Sequence, residues 1–159
     1  MYKRQVPLRD FEFELTPPII SKDNPFPKII TIPTTAGTGA ETEISAMVTY
    51  LKEGMKFCMW HPDVRPSLAL LDPELTIGLP ANLTAWTGAD ALIHGIEGYC
   101  VPGFNPMCDG AALEGLSLIS KSLVTAVEDP SNIVARGGMH VGSCLAGISF
   151  LKGLGSVSY

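Results

Sequence analysis

Residues 80–99 read PANLTAWTGADALIHGIEGY and mark the point at which the chain changes character. Before Pro80, short apolar and β-branched runs are bounded by proline, glycine and aspartate, a pattern typical of strands. After Pro80, glycine and alanine become more frequent and the apolar residues follow a helical spacing. Because proline favours the start of a helix, we predict a first helix over residues 81–99.

Three segments follow from this division. Residues 1–27 are rich in proline and are predicted to be irregular. Two domains are expected to meet near Pro80, and clefts at such junctions are common ligand sites. Residues 28–79 hold the predicted strands, at 28–33, 45–51, 56–60 and 67–71, and residues 80–159 hold the predicted helices.

Two further helices are predicted from their N-terminal signals. Asn105-Pro106 and Asp129-Pro130 each place a capping residue before a proline. Glycine in a helix costs about 1 kcal/mol relative to alanine, so close helix packing must offset the four glycines of the third helix. The expected buried stripes are Leu113, Leu116, Ile119 (or Ser120), Leu123 and Val127 in the second helix and Val134, Val141, Leu145 and Ile148 in the third.

The composition excludes several classes of protein. The 159 residues are 46% hydrophobic and 17% charged, as in a globular protein rather than a disordered one. A net charge of −5 argues against nucleic acid as a partner. The sequence contains no run of about 18 apolar residues, so no membrane span is predicted. Residues 1–5 do not resemble a secretory signal. We therefore expect a cytoplasmic protein whose four cysteines are reduced packing thiols.

Asp90 and His94 are the sharpest chemical feature of the sequence. They are four residues apart on the predicted first helix, so their side chains lie on one face. Carboxylate oxygen and imidazole nitrogen both suit Fe(II), Zn(II) or Mn(II). The spacing alone is also compatible with a simple Asp–His hydrogen bond.

A loop of small and hydroxyl residues, TTAGTG (residues 34–39), follows the first predicted strand. Small residues let a backbone approach a phosphate closely, and threonine hydroxyls can donate hydrogen bonds to it. The loop is neither a Walker A motif nor a GxGxxG fingerprint, and an ordinary turn is the alternative. Lys56, at the start of an apolar strand, is either a phosphate or ribose contact or a solvated charge.

Taken together, these segments resemble the iron-containing (group III) alcohol dehydrogenases. Five ordered blocks carry the resemblance, and their order is more specific than any one block. They are IPTTAGTGAE (32–41), RPSLALLDPELTIGLP (65–80), TGADALIHGIEGY (87–99), FNPMCDGAALEGLSLI (104–119) and KGLGSV (152–157).

The resemblance implies an α/β N-terminal dinucleotide-binding domain followed by an all-α C-terminal metal-binding domain, both partial here, in a dehydroquinate synthase-like architecture. The implied metal, usually iron, is held by one aspartate and three histidines, of which Asp90 and His94 match two. The implied cofactor is NAD or NADP, and the small-molecule substrate is an alcohol or aldehyde. The positions implied to contact the cofactor are Thr34, Thr35, Gly37, Thr38, Ser45 and Lys56.

The departures from the family pattern are at the two ends. The glycine-rich GGGS phosphate loop is expected upstream of residue 1, and Ser158 stands where a third histidine is expected. His61 is expected to be exposed in a His-Pro-Asp turn, and His140 to have a structural role; neither matches a ligand position. The chain is therefore interpreted as an inactive internal fragment of a homo-oligomeric parent enzyme.

The identity of the parent's reaction stays open within the family. A glycerol dehydrogenase, a maleylacetate reductase or a lactaldehyde/propanediol oxidoreductase would share the same fold, and fold does not determine substrate. A truncated remnant without catalytic activity is a further alternative.

Overall fold

The computed structural model describes residues 7–156, which form two compact units. The first unit contains the residues up to Ile30 together with Glu43–Leu68, and the second contains Thr31–Thr42 together with the residues from Ala69 onward. This division differs from the predicted boundary near Pro80, because residues 31–42 and 69–79 group with the helices. The assignment of 28–79 and 80–159 to two domains of a larger enzyme stays a prediction.

The regular elements lie close to the predicted ones. The strands are β1 (Ile30–Thr31), β2 (Ser45–Tyr50), β3 (Met55–Trp60) and β4 (Leu68–Ala69), and the helices are α1 (Ala81–Cys100), α2 (Pro106–Glu128) and α3 (Ile133–Ser156). Short 3₁₀ turns occur at Leu8–Phe11, Ala40–Thr42, Pro62–Val64 and Pro73–Thr76. β1 and β4 pair with each other but are only two residues long, shorter than predicted.

The first unit is built on the antiparallel hairpin of β2 and β3. Ser45 is opposite Trp60 and Tyr50 is opposite Met55. The N-terminal segment is less irregular than predicted, because the Phe13 N–H donates to Cys58 O at 2.8 Å and Glu12 forms a bridge with Met59. The segment therefore adds an edge to the hairpin.

The expectation that His61 is exposed is wrong. Its side chain is 5% exposed, and its ring packs against Phe11 and Phe26. Nδ1 accepts a hydrogen bond from the Asp63 N–H at 3.0 Å, and Nε2 lies 3.1 Å from Pro18 O. Burial is tolerated because both ring nitrogens have hydrogen-bond partners.

The second unit contains the three helices, and small residues form their contacts. The fully buried positions of α2 include Ala112, Ile119 and Ala126, whereas Leu113 is 53% exposed. In α3, Val134 is 80% exposed and Val141 43% exposed, while Ala146 is fully buried. The predicted stripes are therefore wrong at Leu113, Val134 and Val141, because the helices approach through small residues.

The close packing expected of the α3 glycines is confirmed at Gly138, Gly142 and Gly147 but not at Gly137, where an added Cβ atom would meet only Cγ of Pro73 at 4.0 Å. A Cβ atom built on Gly142 would lie 2.7 Å from Cγ1 of Ile119 and 3.1 Å from Gly115 O. A Cβ atom on Gly115 would lie 2.9 Å from Gly142 O. Because glycine has no Cβ atom, the backbones of α2 and α3 come close together at this crossing, and the neighbouring atoms gain dispersion contacts.

The helix starts are decided by side-chain caps. Asn105 caps α2 as predicted, because its Oδ1 accepts from the Cys108 N–H at 3.2 Å. The predicted start of the third helix at Asp129 is wrong. The Asp129 carboxylate accepts from the N–H and Oγ of Ser131 instead, and Asn132 caps α3 by accepting from the Ala135 N–H at 3.1 Å.

By length and composition alone, α2 could cross a membrane, since an 18-residue window has a mean hydropathy of 1.2. Ala112, Gly115 and Ile119 of this helix are buried in the helical unit. The core helix of a globular protein has the same length and composition, so this feature is weak support for a membrane span.

Candidate functional site

Asp90 and His94 lie on one face of α1, as their spacing predicts. Oδ1 of Asp90 is 3.5 Å from Nε2 of His94. The Asp90 side chain is 49% exposed and that of His94 is 20% exposed. The pair is therefore open to solvent on the carboxylate side and partly enclosed on the imidazole side.

The orientation of the His94 ring is set by an aromatic contact. Its centroid lies 4.5 Å from that of Phe150 on α3, with the ring planes 38° apart. The other ring nitrogen, Nδ1, is buried and has no hydrogen-bond partner among the described residues. Histidine ligands of metals usually donate this second N–H to a neighbour. Here the ring is held by stacking, and Nε2 is the nitrogen that faces Asp90.

The geometry of the pair fits a shared divalent cation. Two ligands of a tetrahedral cation, each about 2.1 Å from it, are about 3.4 Å apart, close to the observed Asp90–His94 separation. Within residues 7–156, no cluster of three or more histidine, cysteine, aspartate or glutamate side chains could hold a metal. Ser158, at the expected third histidine, lies outside the described residues. The described part of the chain therefore offers two candidate ligands, Asp90 and His94.

The threonine-rich loop (residues 34–39) packs on the helix that holds the pair. Ala36 and Gly37 are buried, whereas Thr34, Thr35 and Thr38 are exposed. A Cβ atom on Gly37 would lie 3.2 Å from Cβ of Thr87, which is one turn before Asp90 on α1. The loop thus presents its hydroxyl side chains to solvent and its small residues to the helix.

The same loop also packs on α3 through Gly39. Gly39 has a φ of 70°, in the left-handed region that favours glycine. A Cβ atom there would lie 2.6 Å from Ser143 O and 2.8 Å from Cα of Gly147. Helix contacts thus explain both glycines of the loop without a bound phosphate, and the cofactor contacts of Thr34, Thr35, Gly37 and Thr38 stay a prediction.

Ser45 and Lys56 belong to the other compact unit. Ser45 begins β2, where its Oγ donates to Oε2 of Glu43 at 3.4 Å. Lys56 is exposed on β3, opposite Thr49. Ser45 and Thr49 are four residues apart on one strand, or about 13 Å. The hairpin therefore does not bring Ser45 and Lys56 together as one small subsite.

Glu41 and Arg136 are among the buried polar groups of the helical unit that were not predicted from the sequence. Glu41 is 6% exposed beside Cys144, and burial raises the pKa of both groups, that of Cys144 to about 11. Arg136 is 2% exposed and donates to Thr84 Oγ1 at 2.8 Å and to Pro130 O at 3.0 Å. The one sequence signal for the burial of Glu41 is its position directly after the small residues of the threonine-rich loop.

His140 is fully buried on α3, and neither ring nitrogen has a partner among the described residues. Burial lowers the pKa of His140, and the nearby Asp72 carboxylate acts in the opposite direction. A buried ring whose pKa is lowered by burial agrees with the structural role expected for it.

Comparison with known proteins finds two family models that match successive parts of the chain. Residues 2–73 match the family model described as iron-containing alcohol dehydrogenase, and residues 84–156 match the C-terminal model of the Fe-containing alcohol dehydrogenase family. The first match contains the threonine-rich loop, and the second contains Asp90 and His94.

Individual relatives agree with these matches. The 4-hydroxybutyrate dehydrogenase of Cupriavidus necator is 44% identical over 131 residues, covering 81% of this chain and 34% of the relative. The 1,3-propanediol dehydrogenase of Klebsiella pneumoniae is 42% identical over 127 residues, covering 80% of this chain and 33% of the relative.

Among solved structures, the sulfoacetaldehyde reductase from Bifidobacterium kashiwanohense in complex with NAD+ superposes with a TM-score of 0.75 at 39% identity. The match covers 81% of this chain and 35% of that one. The chain thus spans about a third of the length of the relatives it matches. Over that length, two family models and a shared structure show that the chain belongs to the iron-containing alcohol dehydrogenase family.

Proposed function

We propose that this chain is part of a metal-dependent oxidoreductase that transfers a hydride between an alcohol and NAD or NADP. The observation that carries the proposal is the 3.5 Å separation of Asp90 Oδ1 and His94 Nε2. Both atoms lie on the helix against which the threonine-rich loop packs. Candidate metal ligands on a helix, with a hydroxyl-bearing loop packed against the same helix, are elements that hydride transfer between an alcohol and a nicotinamide would need.

Asp90 and His94 would bind the metal in this scheme. An Fe(II), Zn(II) or Mn(II) ion held by these two residues would supply Lewis acidity to the alcohol oxygen. The Phe150 ring packs against the His94 ring, and this contact would favour the orientation in which Nε2 is directed toward Asp90. Asp90, with about half of its side chain exposed, leaves room for a substrate oxygen beside it.

The cofactor is proposed to lie against the threonine-rich loop. The exposed hydroxyls of Thr34, Thr35 and Thr38 can donate hydrogen bonds to phosphate oxygens. Buried Gly37 holds the loop on α1 near Thr87. Ser45 and Lys56, which belong to the other compact unit, are proposed as cofactor contacts from the family resemblance alone. The hydride acceptor is the nicotinamide ring, whose chemistry belongs to the cofactor.

The wider architecture is part of the same proposal. We place residues 28–79 in an α/β dinucleotide-binding domain and residues 80–159 in an all-α metal-binding domain of a dehydroquinate synthase-like fold. The parent enzyme is proposed to be a cytoplasmic homo-oligomer. The matches to a propanediol and a hydroxybutyrate dehydrogenase favour a small primary alcohol over glycerol or maleylacetate as its substrate.

Metal binding tests the proposal directly. Titration of the 159-residue chain with Mn(II), followed by electron paramagnetic resonance, should detect one weak site, because the described residues supply two ligands. Asp90→Asn and His94→Gln should each weaken binding at least about tenfold. Asp23→Asn, which removes an exposed carboxylate of the other unit, is the matched control.

Unchanged Mn(II) affinity in both Asp90→Asn and His94→Gln would show that the ion binds elsewhere. The same chain is expected not to turn over alcohols with NAD or NADP. Measurable alcohol oxidation by it would contradict the expectation that two ligands are insufficient for catalysis.

A further inference from the structure

Among the acidic residues of the described range 7–156, only Glu41 is buried, with 6% of its surface exposed. It lies in the 3₁₀ turn Ala40–Thr42, directly after the threonine-rich loop. Its Oε1 atom is enclosed and has no hydrogen-bond partner among the described residues. The carboxyl group is contacted by the backbone of Glu41 and by the Cys144 thiol. A buried carboxylate with one oxygen left unpaired is still costly, and the usual response of such a group is to retain its proton.

Helix α3 is the helix packed against this turn, and it offers no positive charge to Glu41. The Cys144 thiol lies within hydrogen-bonding reach of the carboxyl group. The other titratable groups of α3 act elsewhere. Arg136 bonds Thr84, Leu79 and Pro130, His140 is influenced by Asp72, and Lys152 pairs with Asp109.

The electrostatic surroundings of Glu41 thus favour its neutral form. Burial is the largest influence and raises the pKa of the carboxyl group above its ordinary value. Cys144 is neutral as well, since the pKa of its thiol is raised to about 11, with burial as the largest cause. The turn and the helix therefore meet through two protonated groups rather than through an ion pair.

The backbone around Glu41 leaves little room for adjustment. Gly39 O accepts hydrogen bonds from the N–H of Thr42 at 2.9 Å and from its Oγ1 at 2.8 Å. A Cβ atom on Gly147 would lie 2.8 Å from Gly39 O and 2.7 Å from Thr42 Oγ1. Because the turn packs this closely on α3, movement of the turn away from the helix would help to hydrate an ionised Glu41.

We propose that Glu41 is a proton-dependent latch: in its protonated form it holds the threonine-rich loop against α3, and its ionisation releases the loop. A carboxyl group whose pKa is raised by docking stabilises the docked state fully below its ordinary pKa. That stability is lost as the pH rises through the raised value. The inference concerns the loop itself and holds whether or not the loop binds a cofactor.

Amide hydrogen exchange of the intact 159-residue chain, followed by NMR, tests the latch. The reporter is the Thr42 amide, which is bonded to Gly39 O, with exchange rates corrected for their intrinsic pH dependence. Exchange is measured between about pH 5 and about pH 9. Protection of the Thr42 amide should fall by up to tenfold per pH unit between the ordinary pKa of a glutamate and the raised pKa of docked Glu41. In Glu41→Gln, which keeps the shape without the charge, protection should stay constant.

Glu114→Gln, at an exposed position of α2, should behave like the unmodified chain. Equal pH dependence in Glu41→Gln and the unmodified chain would assign the effect to another group and overturn the proposal. A constant Thr42 protection in the unmodified chain would overturn it too. If Glu41→Gln does not fold, the carboxyl ¹³C shift of Glu41 in the unmodified chain decides: titration at the ordinary pKa contradicts the latch, and titration at a raised pKa supports it.

Discussion

The ammonium group of Lys152 lies 2.6 Å from Oδ1 of Asp109 and 3.2 Å from Tyr99 O, so one buried cation joins all three helices. Lys152 is on α3 and is 6% exposed, Asp109 is in the first turn of α2, and Tyr99 is in the last turn of α1. The carbonyl groups at the end of a helix carry partial negative charge, so the cation is favourable toward both partners.

Replacement of Lys152 by methionine should destabilise the helical unit. The Asp109 carboxylate and Tyr99 O would lose their shared donor, and loss of one partner of a buried pair costs about 3 kcal/mol. Urea unfolding followed by circular dichroism measures the change. Lys121→Met, at an exposed position of α2, is the control and should unfold near the midpoint of the unmodified chain. A midpoint for Lys152→Met equal to that of Lys121→Met would disprove this role.

Two glycine-to-alanine changes should have opposite effects on stability. Gly147→Ala would place a methyl group 2.7 Å from Thr42 Oγ1 and 2.8 Å from Gly39 O, and such overpacking costs about 1–3 kcal/mol. Gly110→Ala meets no atom within 4 Å and lies in α2, so the helix should gain about 0.5–1 kcal/mol. Thermal unfolding of both variants gives the comparison, and a Gly147→Ala variant as stable as Gly110→Ala would contradict the close docking of the loop.

Phe150→Leu should weaken metal binding without unfolding the chain. The His94 ring lacks a hydrogen bond at Nδ1 and is oriented by its contact with Phe150, so loss of the aromatic ring should lower Mn(II) affinity several-fold to about tenfold. The control is Phe104→Leu, since Phe104 is 95% exposed. Equal Mn(II) affinity in the two leucine variants would show that the stacked ring does not position His94.

Cys144 should react slowly with alkylating reagents. Its thiol pKa is raised to about 11 by burial and by Glu41, and only the thiolate reacts. At about pH 8 its thiolate fraction is therefore roughly a hundredfold lower than that of an ordinary thiol. Iodoacetamide labelling resolved by mass spectrometry should modify exposed Cys100 long before Cys144. Comparable labelling of the two cysteines at that pH would rule out the proposed surroundings of Cys144.

The burial of particular side chains could be predicted only in part. The spacing of apolar residues predicted three helices, yet it assigned Val134 and Val141 to the buried face of α3. Helical periodicity identifies a face by its large apolar residues, whereas α2 and α3 meet through Gly115, Gly142 and Ala146. The contact between α2 and α3 is therefore made by their small residues and not by the faces that carry the large apolar side chains.

The amino-acid sequence by itself determined that Asp90 and His94 share a helix face and that Asn105 caps α2, because both relationships depend on residues within a single helical turn. Only the tertiary structure decided that His61 is buried, that Phe150 orients His94 and that Glu41 meets Cys144. Each of these relationships joins residues dozens of positions apart. The free energy of such contacts depends on how whole elements approach one another, which no local pattern of residues encodes.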